Sequence, residues 1–479
     1  MGAFSDVVAS LLILCVKQRT VEFLRHDMQK FSIDIDSNYN CVYNTIEKME
    51  QNMQKFSIEV TELEIKRDYY LNKLIAKKHN GLIKVITGMR RCGKSYLLFN
   101  LFKKHLQEQG VDVDHIIEIP FDSFEAKKFR DPEVLYPHVK EKIIDDQMYY
   151  ILLDEVQLLD EFESVLNGFM RIPNVDVYVT GSNAKFLSKD IITEFRGRGD
   201  ELHMNPLSFA EFMSVYEGNK YDGWHEYVLY GGLPPVVLLP TPEQKIELLK
   251  RLFDETYVND IVGRHRIRNK DEFEELINIL SSGIGSLTNP KKLADTFKTK
   301  KRIKISVNTI KSYLDYLCDA FIVSRATRYD IKGKKYIDTP QKYYFGDVGL
   351  RNARINFRQI EENHTMENIL FNELINRGFN VDVGLVCVSG KDASGKLARR
   401  QLEVDFVCNK GSKRYYVQSA FAIPDEAKMQ QESNSLLRID DSFKKIIVVK
   451  DTPAPWYTDD GILVISVYDF LLSADSLDM

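Results

Sequence analysis

Gly88-Met89-Arg90-Arg91-Cys92-Gly93-Lys94-Ser95 is the stretch on which the fold turns. It satisfies the spacing GxxxxGK[ST]. The glycines let the backbone curl until successive N–H groups converge on an anion, and a helix opening at Lys94 points its positive dipole end at the same place. Lys94 can then reach the β- and γ-phosphates of ATP, and the Ser95 hydroxyl can ligate Mg2+. Arg91, Cys92 and Tyr96 complete the expected nucleotide contacts. A glycine-containing turn would share the glycines but not the flanks. Before the loop, Leu82–Thr87 (LIKVIT) is a continuous apolar run with β-branched residues, as expected of a strand buried on both faces. After it, Leu97, Leu98, Leu101, Phe102 and Leu106 recur at helical spacing over Lys94–Gln109.

Working outward, the pattern repeats. Strands are predicted at His115–Phe121, Tyr149–Leu153 and Val175–Thr180, with helices at Pro132–Asp145 and Glu161–Arg171. Alternating β and α elements imply an α/β fold, a P-loop NTPase with a doubly wound parallel sheet. The strand Tyr149–Leu153 ends in Asp154-Glu155. Acids at the carboxyl end of a buried strand are costly unless they meet a cation or another partner. Beside the loop, Asp154 can hold Mg2+ and Glu155 can polarise the attacking water. The strand at His115–Phe121 fits P-loop enzymes with an extra strand between these two motifs. The next strand ends Thr180-Gly181-Ser182-Asn183, and Asn183 is the candidate for sensing the γ-phosphate, with helix capping as its alternative role. Arg196 and Arg198 offer cations that either reach nucleotide, here or on a neighbouring subunit, or form a solvated pair.

The string GMRRCGKSYLL, followed by ILLDEVQ, YVTGSNA, EFRGRG, NPLSFAEF and YGGLPPV, resembles a large prokaryotic family of AAA-type ATPases. Its members join an ATPase domain to a winged helix and a C-terminal domain of unknown function. The resemblance covers about residues 64–475. It implies Gly88, Gly93, Lys94 and Ser95 for the phosphates, Asp154 and Glu155 for Mg2+ and water, Asn183 as sensor and Arg198 as a catalytic cation. NPLSFAEF and GGLPP are signatures for which turns and packing are the default expectation.

Charge is segregated along the chain. Residues 291–342 hold fourteen Lys and Arg against five Asp and no Glu, a net of +9, while the whole chain is −5. Within this region Pro290–Phe297 and Ser306–Ala320 read as two helices, and Phe321–Tyr329 with Lys342–Phe345 as a hairpin wing. That is a DNA-docking geometry. Ser306, Asn308, Thr309 and Lys311 would meet bases or phosphates, with Lys300, Lys301, Arg302 and Lys304 adding phosphate contacts. Winged helices also dock proteins, so DNA and protein partners both stand. The end of the chain reads as a small α/β domain in α-β-β-β-α-β order, resembling the restriction-endonuclease-like fold, with Glu367 and Asp405 as its acids. Leu402-Glu403-Val404-Asp405 fits the first half of D…ExK, but Gln418 and Ala420 stand where Glu and Lys are needed. An amide is a poor ligand for a hard cation, and alanine cannot activate water. The expectation is a scaffold or recognition domain, with a compensated nuclease as the lesser alternative.

The expected divisions are an N-terminal extension (1–63), the ATPase domain (64–217), a helical lid or connector (218–270), the winged helix (271–345) and the nuclease-like domain (346–479). The function they add up to is ATP hydrolysis with Mg2+ that drives or gates the attached domains. A nucleotide-gated DNA- or protein-binding regulator with slow hydrolysis is the alternative. Oligomerisation is open. The 479 residues are 44% hydrophobic and 28% charged, which excludes a globally disordered chain and a multi-span membrane protein. The apolar run Val7–Val16 is shorter than the about 20 residues of a membrane span, and a packed or interfacial helix is expected. The heptapeptide MQKFSID (Met28–Asp34) recurs as MQKFSIE (Met53–Glu59), two copies being too few for a solenoid. Scattered cysteines without a CxxC argue for a reducing cytoplasm.

Overall fold

The computed structural model describes residues 64–181, 197–301, 303–358, 360–391 and 397–479. The apolar run Val7–Val16 and both heptapeptides lie outside the described residues, as does Asn183. From Ile65 to Met479 the chain is one compact unit.

Five strands form the first sheet: β1 (Ile83–Thr87), β2 (Ile116–Pro120), β3 (Tyr149–Asp154), β4 (Val175–Thr180) and β5 (Gly199–His203). All are parallel, in the order β2-β3-β4-β1-β5. Every residue of β1 and β3 is buried, which is why their sequences run apolar without alternation. On one face Ile83, Val85, Ile151, Leu153, Val177 and Val179 pack against the helices Pro132–Lys142 and Phe162–Phe169. On the other, Ile86, Leu152 and Tyr178 meet Leu97–Phe102 of the helix after the loop. The strand that intervenes in sequence, β2, sits at the sheet edge, and β4 is the one that separates β1 from β3.

The core on that second face does not stop at the ATPase sheet. It continues through Phe253, Tyr257 and Ile261, then Phe273, Leu276, Leu293, Ile310 and Leu314. The expected helix pair is present as Pro290–Thr296, extended by Phe297–Lys301, and Val307–Asp319, the latter capped by the Ser306 hydroxyl on the Thr309 N–H. The hairpin follows as β6 (Val323–Asp330) and β7 (Lys335–Phe345).

That hairpin is not a free wing. β6 pairs in parallel with β8 (Asn380–Lys391), which continues through β9 (Leu397–Lys410), β10 (Lys413–Ala420), β11 (Lys444–Val449), β12 (Trp456–Tyr457) and β13 (Leu463–Ser466). The order is β12-β13-β11-β10-β9-β8-β6-β7, one eight-stranded sheet. The expected boundary between residues 345 and 346 therefore falls inside a continuous structure. Local alternation and a turn signal reveal a hairpin but not the third strand against which it pairs. Helices Glu362–Asn376 and Glu426–Leu437 join this sheet in the α-β-β-β-α-β order read from the sequence.

Candidate functional site

The loop leaves β1 at Gly88 and enters its helix at Lys94. Gly88 has φ 140°, and a Cβ there would lie 2.1 Å from the Met204 carbonyl oxygen, so only glycine fits. Gly93 (φ 103°) and the non-glycine Arg91 (φ 64°) complete the reversal. The loop is held from three sides. Arg67, 3% exposed, donates to the Cys92 carbonyl (3.2 Å) and the Asn205 carbonyl (2.7 Å), and pairs with Glu211 at 3.0 Å. The Tyr257 hydroxyl donates to the Arg90 carbonyl at 2.7 Å, and the Arg90 guanidinium faces Asp260 at 3.9 Å. Lys94 donates to the Gly88 and Met89 carbonyls, at 3.0 and 2.9 Å.

The two motifs meet. The Asp154 carboxylate, 4% exposed, accepts a hydrogen bond from the Thr180 hydroxyl and has the Ser95 hydroxyl beside it. Burial pushes its carboxyl above the usual range, and the Thr180 and Ser95 hydroxyls oppose the rise. Glu155, next in the chain, is held in the left-handed region at φ 52°, ψ 46°. Its N–H donates to the Thr180 Oγ1 at 3.1 Å, and the Gln157 amide donates to its Oε2. The Gln157 Oε1 is buried without a hydrogen-bond partner among the described residues. Thus Gly88, Gly93, Lys94, Ser95, Asp154 and Glu155 lie at the carboxyl ends of β1 and β3, where open α/β sheets carry their ligand sites.

Other expected residues are placed differently. The Cys92 side chain is fully buried with its Sγ toward the Met204 carbonyl (3.4 Å), and Tyr96 packs against the core. Arg91 is exposed. Arg198 precedes β5, its carbonyl accepting from the Ile83 N–H that opens β1, while its guanidinium donates to the Asn167 Oδ1 at 3.1 Å. It sits at the amino end of the strands, roughly 16 Å of strand from the loop, and is not brought together with the other site residues. Thr180, Gln157, Arg67 and Tyr257 received no role from the sequence. For Thr180 the signal was there, a polar residue closing a buried strand. For Arg67 and Tyr257 none existed, because each reaches the loop from a separate helix.

Both signature strings acquire a physical account. In NPLSFAEF, Ser208 and Glu211 form a reciprocal helix cap, and Glu211 also anchors Arg67. In GGLPP, the Gly232 N–H donates to the Asp347 carboxylate at 2.7 Å, and Pro234 lies under Gly93, 3.9 Å from where its Cβ would be. Burial raises Asp347 to about 6 against four backbone N–H groups that stabilise its charge.

At the far sheet, the Lys342 ammonium of β7 lies 2.8 Å from Glu367, 2.7 Å from Glu403 and 3.7 Å from Asp405. The Tyr344 hydroxyl donates to Glu367 at 2.6 Å, and the Ser419 N–H to Asp405 at 2.8 Å. Burial, with Glu367 nearby, lifts Asp405 to about 7. Burial also acts to raise Glu367, but the His364 ring 3.9 Å away, hydrogen bonds from Lys342 and Tyr344 and the Lys342 charge hold it below its ordinary value. The acidic trio carries Lys342 in its midst. Among the described residues, no group of three or more His, Cys, Asp or Glu is disposed to hold a metal. These residues do not fit a nuclease cation. Gln418 stands beside Asp405 as its position implied, accepting the Asp405 N–H at 3.4 Å.

The AAA-domain profile matches residues 80–213, the segment that contains the loop, Asp154, Glu155 and Thr180. An uncharacterized protein of Haemophilus influenzae is 36% identical over 417 residues, covering 85% of this chain and 98% of that one. The chain belongs to this AAA-domain family. An uncharacterized protein of Methanocaldococcus jannaschii is 29% identical over 426 residues, covering 85% and 88%. The Walker-type ATPase of Pyrococcus abyssi is similar in structure at 14% identity and a TM-score of 0.44, covering 62% of this chain and 97% of that one. Residues 221–361 match a domain of unknown function, DUF8612, which in this AAA protein contains the GGLPP turn, the basic helix pair, the hairpin and Asp347. Among the described residues, no helix is long and apolar enough to cross a membrane.

Proposed function

We propose that this AAA-type protein binds ATP with Mg2+ at Gly88–Ser95 and hydrolyses it, and that hydrolysis drives or gates movement of the parts that follow. The observation that carries the reading is the Asp154 carboxylate brought beside the Ser95 hydroxyl at the glycine-bent loop, with Glu155 next to it. The donor set, one hydroxyl and one carboxylate, suits a hard cation. Ser95 and Asp154 would hold Mg2+, whose charge offsets that of the phosphate oxygens. Loop N–H groups and Lys94 bind phosphate, Lys94 exchanging its present carbonyl acceptors for phosphate oxygens. Glu155 orients water and takes its proton. Asn183 keeps its proposed role at the γ-phosphate. Arg198 has no path to this nucleotide within one chain, so any catalytic part for it requires a second copy. The transmission route is the pair of contacts that the helical connector makes with Arg90, together with the turn, held by Asp347, that lies under Gly93.

Lys94→Ala removes a charge-assisted donor to phosphate, so ATP affinity is expected to fall on the order of tenfold to a hundredfold in a calorimetric titration. Unchanged affinity would overturn the reading.

A second reading, DNA binding by a winged helix, is favoured by one observation. Lys291, Lys292, Lys298, Asn308 and Lys311 are exposed on the helix pair, and Lys304 on the link between the two helices. Arg302 and the side chains of Lys300 and Lys301 lie outside the description. Duplex binding should weaken steeply with salt, and Lys304→Gln with Lys311→Gln should lower the log–log slope by about 2. Salt-independent affinity, or none, removes the DNA reading. The nuclease-like part then serves as scaffold or protein-docking module.

A further inference from the structure

We infer that Thr180 is a positioning residue for both acids, a single buried hydroxyl that fixes the Asp154 carboxylate and the Glu155 backbone relative to each other. The inference rests on the ATPase reading for its functional consequence, but not for its geometry.

Thr180 closes β4, the strand between β1 and β3, and is fully buried. Register pairs Leu153 with Val179, which puts Thr180 level with Asp154 across the sheet. A hydroxyl has one proton to give. Here it goes to the Asp154 Oδ1, leaving the oxygen lone pairs to accept the Glu155 N–H at 3.1 Å. This direction is enforced, because the carboxylate can only accept and the amide can only donate. The second bond lands where the backbone needs it. Glu155 occupies a left-handed conformation uncommon for residues other than glycine, and such conformations persist where surrounding contacts over-determine them. Rotating the Glu155 peptide out of that conformation would break its bond to Thr180 and swing the carboxylate that the Gln157 amide holds. Packing alone does not call for a hydroxyl. Val177 and Val179 fill neighbouring positions of the same strand, and valine has the shape of threonine.

The test compares Thr180→Val, which keeps shape and removes both bonds, with Thr180→Ser, which keeps the hydroxyl. In Thr180→Val, kcat for ATP should fall on the order of tenfold to a hundredfold, as small misplacements of a catalytic group do. Affinity for a non-hydrolysable ATP analogue should change by less than about threefold, and Thr180→Ser should restore most of the rate. Independently of turnover, hydrogen exchange at the Glu155 amide should accelerate in the valine variant and stay slow in the serine variant. Wild-type turnover by Thr180→Val, equal loss in both variants, or unchanged exchange at Glu155 would each overturn the inference. Should valine prevent folding, Thr180→Ala takes its place with the same expectations. Absence of hydrolysis in the wild type overturns the ATPase reading instead, and the exchange measurement then decides the role of Thr180 alone.

Discussion

Glu155→Gln should still bind ATP and lose hydrolysis, by on the order of 10² to 10⁴ in kcat. The substitution is close to isosteric, and the features that hold Glu155 are largely backbone ones: its left-handed conformation and its N–H bond to Thr180. Both survive the change. What is lost is a carboxylate able to accept a proton from water, the one role for which glutamine has no substitute. Asp154 cannot take over, because its Oδ1 is committed to Thr180, it faces the Ser95 hydroxyl and it is buried more deeply than Glu155. Phosphate contacts from the loop and Lys94 are untouched, so ATP affinity should stay within about threefold of wild type. Steady-state phosphate release checks the first expectation and calorimetry the second. Equal turnover in the two proteins would remove Glu155 from the chemistry.

The second large effect lies far from the nucleotide. Lys342→Met should destabilise the chain by about 3–5 kcal/mol, the cost of leaving buried charge without its partner. Lys342 is 4% exposed and touches Glu367, Glu403 and Asp405; burial acts against its charge, but those three acids raise its affinity for a proton overall. Methionine fills the stem and deletes the ammonium. The loss has a pH signature. In the wild type, Asp405 has a folded value of about 7, above the ordinary carboxylate range, so its contribution to stability is present below pH 4 and is lost as pH rises through 7. Without the ammonium, Glu367 loses a group that holds it low and Asp405 one that opposes its rise, so the acids take up protons more readily. The deficit of the variant should be largest near pH 8 and shrink toward pH 5, where protonation relieves the repulsion. Urea denaturation at both pH values checks this. Equal stability of the two proteins at pH 8 would show that the ammonium is not the counter-charge of this cluster.

The elements that the sequence made legible are those whose signal is local. The β1–loop–helix unit, the acids ending β3 and the polar end of β4 were readable because each is a continuous string with a distinctive period. The C-terminal order was readable for the same reason, down to Gln418 beside Asp405. What escaped depends on pairing between distant residues. Lys84 interrupts an apolar run, and only the fold shows its partner, Asp176 on the neighbouring β4, with which it forms a buried ion pair. Arg198 follows β4 closely in sequence, yet it lies at the opposite end of the sheet, where β5 begins. Lys342 belonged, as read, to a basic wing; pairing of β6 with β8 takes the hairpin into the sheet and sets its lysine among three acids. The GGLPP turn meant nothing until Asp347, 115 residues away from Gly232, closed on it.

The claim beneath all of this is that the loop at Gly88–Ser95 and the acids Asp154 and Glu155 make one site that holds and cleaves a triphosphate. Its most direct measurement is the identity of the nucleotide that stays on the protein after incubation with ATP and Mg2+, read by rapid desalting, denaturation and chromatography. Intact ATP on Glu155→Gln and ADP on the wild type is the predicted result. ADP on both proteins, or no nucleotide on either, would contradict it.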